Sequence, residues 1–298
     1  MPMLNLVLLK YIRLKLAFMA VLFIALTTLL SACGGGGTSG SPSAPPTTPN
    51  LSVFMAPGAY EAEGEVKVNN ILETYLWVAM LLPTKQGNTT VTNFYGLSYK
   101  DKDISRVPDL YSGSGLFTDV NSASFTRLSV YPNTTAVLRT GTGTLSNLGN
   151  GVVNAQLSFP EAKSNDRTVA ARAPSNATYN TSGNLNSVKG SWKGQWSYGF
   201  SSAGEFTLNI SAQGEISTSQ TFQQDCLLTQ GALAPSAYSS SLLTFTLTIP
   251  DATQCSLRNQ TLNGAAFVTA SPVAGKTQRL YIAGVTTDGR GISYIADR

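Results

Sequence analysis

Histidine is absent from the 298 residues, and only three cysteines are present. Without imidazole there is no Ser/His/Asp or Cys/His nucleophile of the usual form, no His-ligated metal and no histidine acid or base. Any enzyme chemistry would have to run on carboxylates, lysine or tyrosine. Charge is scarce as well, with Asp, Glu, Lys and Arg together making up 12% of the chain and no basic cluster beyond the "YKDKD" of residues 99–103. A nucleic-acid partner held through its phosphates needs a basic footprint, so none is expected. The same shortage of ligand side chains leaves no cofactor or metal to expect. "KDKD" has neither the acidic count nor the glycine of a calcium loop and reads as a solvated turn.

One long apolar stretch is present, Leu16 to Leu30, preceded by Lys10, Arg13 and Lys15 and followed by Ser31, Ala32 and Cys33. A basic start, a short apolar run and small residues at its end form an export signal, and the run is shorter than the ~20 residues a membrane span needs. Four glycines and then "TSGSPSAPPTTPN" follow Cys33. Gly and Ser keep such a segment flexible while Pro keeps it extended and unable to pack, which makes it a tether. Residues 1–32 carry three basic and no acidic residues, so the remainder holds 17 basic against 16 acidic, a formal +1. The four residues Leu30 to Cys33 resemble the lipobox of bacterial lipoproteins, in which the peptide is cut before the cysteine and the thiol is acylated. That resemblance implies Cys33 as the lipid attachment point and acyl chains in a membrane as the first partner. Gly34, where an Asp would favour inner-membrane retention, implies the outer membrane.

Cys226 and Cys255 are then the remaining thiols, an even pair in an exported chain, and are expected to form a structural disulfide.

Beyond the tether the periodicity is two, not 3.6. In "GAYEAEGEVKV" the residues Tyr60, Ala62, Gly64, Val66 and Val68 share one side, with Glu61, Glu63, Glu65 and Lys67 on the other. In "GSWKGQWSY" Trp192, Gly194, Trp196 and Tyr198 fall together. Both segments open on glycine, a small residue and an aromatic, and the offset of 132 residues from Gly58 to Gly190 marks the first strands of two related units. Phe206, Leu208 and Ile210, and later Leu243, Phe245, Leu247 and Ile249, alternate in the same way, with turns expected at Gln213–Gly214 and Asp288–Gly289. "NNILETYLWVAMLLP" is the one run ambiguous between helix and strand, and its flanking Gly and Pro make it read as a buried strand or a pair of strands.

The fold class expected is therefore all-β: two antiparallel barrel-like or sandwich units in tandem after a signal peptide and a Gly/Ser/Pro tether. The segments are 1–32 (signal peptide), 33–50 (lipidated tether), 51–174 (first β unit), 175–184 (linker) and 185–298 (second β unit, with the Cys pair).

The glycine-flanked tryptophan Gly190, Ser191, Trp192 resembles the opening strand of lipocalins. Anchor, tether and barrel together resemble bacterial lipoprotein barrels of the transferrin-binding and factor-H-binding sort, and poorly characterised proteobacterial lipoproteins with a two-unit layout.

Two functional classes follow. The first is a non-enzymatic, lipid-anchored envelope module that binds another envelope or host protein, a glycan or an apolar ligand, or assists assembly, with Tyr60, Trp192 and Trp196 as candidate ligand-lining aromatics. The second is a carboxylate-dependent hydrolase built on Glu61, Glu63 and Glu65, whose spacing of about 7 Å on one strand face suits a carboxylate pair. The absence of histidine and of any recognisable catalytic motif favours the first.

Overall fold

The computed structural model describes residues 58–68, 71–86, 89–100, 108–117, 122–131, 138–149, 152–161, 167–172, 184–198, 201–218, 221–222, 226–227, 231–237, 242–251 and 257–298, in part through the backbone alone. The expected signal peptide, the expected tether and Cys33 lie outside these residues.

Two closed antiparallel barrels account for nearly all of the described chain, so the all-β expectation holds. The first runs through β1 (Gly58–Val68), β2 (Ile71–Gln86), β3 (Thr89–Lys100), β4 (Asp109–Phe117), β5 (Ser122–Tyr131), β6 (Arg139–Gly149), β7 (Val152–Ser158) and β8 (Arg167–Arg172). Each strand pairs with the next, and Glu61 opposite Arg172 closes the ring.

A single helical turn, α1 (Leu185–Val188), leads into the second barrel. Asn184 caps it, accepting from the Asn186 amide at 2.9 Å, as short polar side chains do at helix starts. The second barrel begins with β9 (Gly190–Tyr198), β10 (Ser201–Ile210) and β11 (Glu215–Ser217). The short β12 (Thr221–Phe222) and β13 (Cys226–Leu227) then form a hairpin of their own. The barrel resumes with β14 (Gly231–Pro235), β15 (Leu243–Thr248), β16 (Thr261–Ala270), β17 (Gln278–Val285) and β18 (Gly291–Asp297). β18 closes against β9, with Tyr294 opposite Trp196.

Both lumens are packed. Tyr60, Trp77, Leu81, Phe94, Tyr111 and Phe125 fill the first, where the Trp77 and Tyr111 rings lie 4.9 Å apart. Trp192, Trp196, Phe206, Phe245, Leu280 and Tyr294 fill the second. The alternation read from β10 and β15 holds residue by residue: Phe206, Leu208, Ile210, Leu243, Phe245, Leu247 and Ile249 all point inward. The turns at Gly214 and Gly289 are present, and both glycines sit at positive φ, 86° and 87°, which side chains rarely adopt.

A third core lies between the barrels, and no alternating pattern announces it. Val78, Met80 and Leu82 of β2 and Tyr95, Leu97 and Tyr99 of β3 pack against Ala265 and Phe267 of β16, Tyr281 and Ala283 of β17 and Ile295 of β18. Strands covered on both faces lose polar alternation. This explains the unbroken apolar run of β2: Trp77 and Leu81 face the lumen while Val78, Met80 and Leu82 face the other barrel. It is one strand of 16 residues, not two. Burial on both faces also makes every residue of β18 buried.

Candidate functional site

The ends of the inter-barrel core open into two clefts. They lie apart along β3, one at Asn93 and Tyr95 in its middle and the other at Tyr99 near its end, with Asn93 and Tyr99 about 20 Å apart at the usual rise of ~3.3 Å per strand residue.

The first cleft, about 250 Å³, is lined by Glu61, Glu63, Leu76, Tyr99, Pro272 and Tyr281 among others. Glu61 is half-buried and Glu63 exposed on its rim. Of Glu65 only the backbone is described. Beside the cleft the hydroxyls of Tyr99 and Tyr281 are 2.7 Å apart. Arg279, fully buried, donates to the Tyr99 hydroxyl at 3.3 Å and forks onto Asp297, Nε to Oδ1 and Nη2 to Oδ2, each at 2.8 Å. Ser271 donates to the same carboxylate at 2.8 Å. A guanidinium matches a carboxylate's two oxygens in this way, and a buried charge demands such pairing. Burial raises the Tyr99 phenol above its ordinary value, against the opposing pull of Tyr281 and Arg279. Burial raises Tyr281 further, with Tyr99 adding to it. Both phenols are neutral hydrogen-bonding groups at physiological pH.

The second cleft, about 410 Å³, lies between the outer faces of β3, β4 and β5 and the turn joining β17 to β18. Asn93, Tyr95, Ser112, Ser114, Ser129, Asn263, Thr286 and Thr287 line it with hydroxyls and carboxamides, and among the described residues no charged side chain does. The turn is braced from within: Thr286 donates its hydroxyl to Asp288 and its amide to the Arg290 carbonyl at 2.7 Å, and Arg290 Nε donates to Asp288 Oδ2 at 2.9 Å. The hydrogen bond from Thr286, with Arg290 beside it, holds the Asp288 carboxyl below its usual value.

The aromatics named from the sequence sit elsewhere. Tyr60 is in the packed lumen of the first barrel, Trp192 and Trp196 in that of the second, and none of the three lines either cleft. Trp192 donates its indole N–H to the Val188 carbonyl, and Tyr294 donates to the Trp192 carbonyl at 2.7 Å. Gly190, which opens that strand, has φ of 116°, and a Cβ there would come within 3.3 Å of Arg298 Nη1. The positive φ reserves the position for glycine. Arg298 itself, which sequence reasoning did not single out, lies over the Trp192 ring. On the outer face of the same strand Lys193 pairs with Glu205 at 2.9 Å, while Ser197 is buried against Ser293.

Cys255 falls outside the described residues, and of Cys226 only the backbone is described; no disulfide is present among the described residues. Nor does any group of three or more His, Cys, Asp or Glu among them assemble to hold a metal ion.

The sequence matches no known protein-family profile and no characterised protein.

Proposed function

We propose that the protein is an outer-membrane lipoprotein, anchored through acyl chains on Cys33, that works as a non-enzymatic binding or assembly module. The observation that carries the binding half of this reading is where space is found. Both lumens are filled by large side chains, whereas clefts lined by polar and apolar groups alike open on the outside where the barrels meet. Concave sites with a few convergent polar groups are the usual form of ligand pockets. The anchor half rests on the lipobox of residues 30–33 and the tether behind it.

The anchor is tested by Cys33→Ser. Stable attachment needs more than one acyl chain, at about 0.8 kcal/mol per buried CH2, so the variant should lose fatty-acid labelling and leave the membrane fraction. Retention after a salt wash would sink the anchor.

The second reading, a carboxylate-dependent hydrolase, has one observation in its favour: Glu61 and Glu63 line the same cleft. It predicts release of reducing ends from envelope polysaccharides by the purified chain, abolished in Glu61→Gln. Absence of any such release leaves the binding reading standing alone.

A further inference from the structure

We propose that the second cleft binds a neutral saccharide, an inference that rests on the reading of the protein as a binding module and names the chemistry of its ligand. Three side chains carry it. Tyr95, Ser112 and Ser129 are 5%, 7% and 7% exposed, line the cleft and have no side-chain hydrogen bond to another described residue. Their hydroxyls are reached by solvent through the cleft and find no protein partner among the described residues, so all three are free to pair with a molecule that enters it.

The nature of that occupant follows from the lining. No charged side chain among the described residues faces the cleft, so none of them would offset the desolvation of an anion or a cation. An apolar ligand would strip water from the Tyr95, Ser112 and Ser129 hydroxyls and give no hydrogen bond in return. Hydroxyls and the carboxamides of Asn93 and Asn263 both donate and accept, and a saccharide's hydroxyls do the same, so the two surfaces match without either carrying charge. An extended peptide is equally neutral, but its common route onto a β protein is to add a strand at an open edge. Closed barrels have no such edge. Burial pushes the Tyr95 phenol up to about 12, which keeps it a donor as well as an acceptor throughout the physiological range.

Saturation-transfer NMR on the full chain, with maltotriose, cellotriose and diacetylchitobiose as probes, tests the proposal. At least one of them should receive saturation. Its affinity should fall at least tenfold in Tyr95→Phe/Ser112→Ala, which removes two hydroxyls at nearly constant shape, and stay unchanged in Lys193→Gln on the far surface. Circular dichroism matching the parent chain establishes that the double variant is folded. Saturation of none of the three, binding indifferent to the double variant, or transfer to a neutral Gly/Ser peptide in place of the saccharides would overturn it. A photo-crosslinker at Ser114 in living cells separates the two failures. If it traps an envelope component while no saccharide binds, the saccharide inference falls and the binding module stands; if it traps nothing either, both fall.

Discussion

The guanidinium of Arg298 lies over the indole of Trp192, 4.2 Å from the ring centroid. The same group donates to the Lys189 carbonyl at 2.6 Å, to the Ser187 carbonyl at 2.9 Å and, through Nε, to Gln278 Oε1 at 2.8 Å. One side chain thus ties the helical turn before β9 to the strand end of β17 and covers the floor of the second barrel.

Replacing it should cost stability through all of these contacts at once. A cation over an indole contributes about 0.5–2 kcal/mol, and the two carbonyls at the end of α1 lose their partners. Arg298→Ala is expected to lower unfolding stability by about 2–3 kcal/mol in urea titrations. Arg298→Lys should recover less than half, because an ammonium cannot fork to two carbonyls while stacking flat. Equal stability of the Lys variant and the parent would show that charge alone accounts for the contact.

Arg279 and Asp297 behave as a unit. Arg279→Met leaves the buried Asp297 carboxylate its hydrogen bond from Ser271 but no guanidinium, and should destabilise by about 3–5 kcal/mol. Arg279→Met/Asp297→Leu should cost far less than the two single variants added together, because neither charge is then stranded. Additive losses in the double-variant cycle would mean that the pair contributes no coupling.

Stability should fall in alkali. Burial pushes Tyr60 and Tyr95 up to about 12 and raises Tyr99, Tyr281 and Tyr294 as well. Above the ordinary tyrosine value near 10 the unfolded chain loses these protons and the folded chain keeps them. The stabilisation is therefore complete below pH ~10 and is lost as the pH rises through 12. The urea midpoint should be flat to about pH 9 and decline above 10, while a spectrophotometric titration leaves these five of the 12 tyrosines protonated until unfolding.

The barrels should not be independent in solution. Phe267 and Tyr281 stack at 5.0 Å within the shared core, and Phe267→Ala should destabilise the whole chain by about 3–5 kcal/mol. A fragment of residues 184–298 alone would expose Phe267, Tyr281 and Ile295, and is expected to bind a hydrophobic dye and self-associate. Residues 51–298 should unfold in one transition, by circular dichroism and tryptophan fluorescence alike. Two separated transitions, or a monomeric fragment that binds no dye, would contradict this.

Strands, their inward faces and several turns were legible in the sequence. Each strand's Cβ atoms alternate sides by covalent geometry, so Phe206, Leu208 and Ile210 or Leu243, Phe245 and Leu247 declare one buried face wherever the rest of the chain goes. Gly214 and Gly289 declare turns for an equally local reason, the positive φ that each adopts.

Which outer faces are buried was decided only by the tertiary structure. Val78, Leu97, Tyr281 and Ile295 meet because two curved sheets, brought together across the linker, have complementary apolar exteriors. No residue-level period encodes that meeting, because a strand covered on both sides simply reads as apolar. The clefts follow from the same contact. Tyr95, Ser112 and Ser129 come from three strands, and Thr286 from the turn of another barrel. Their hydroxyls converge through side-chain placement across sequence separations of more than 150 residues at the widest, so no motif spans them. The aromatics that the sequence brings forward, Tyr60, Trp192 and Trp196, do what large apolar groups do in a closed eight-stranded barrel: they fill it.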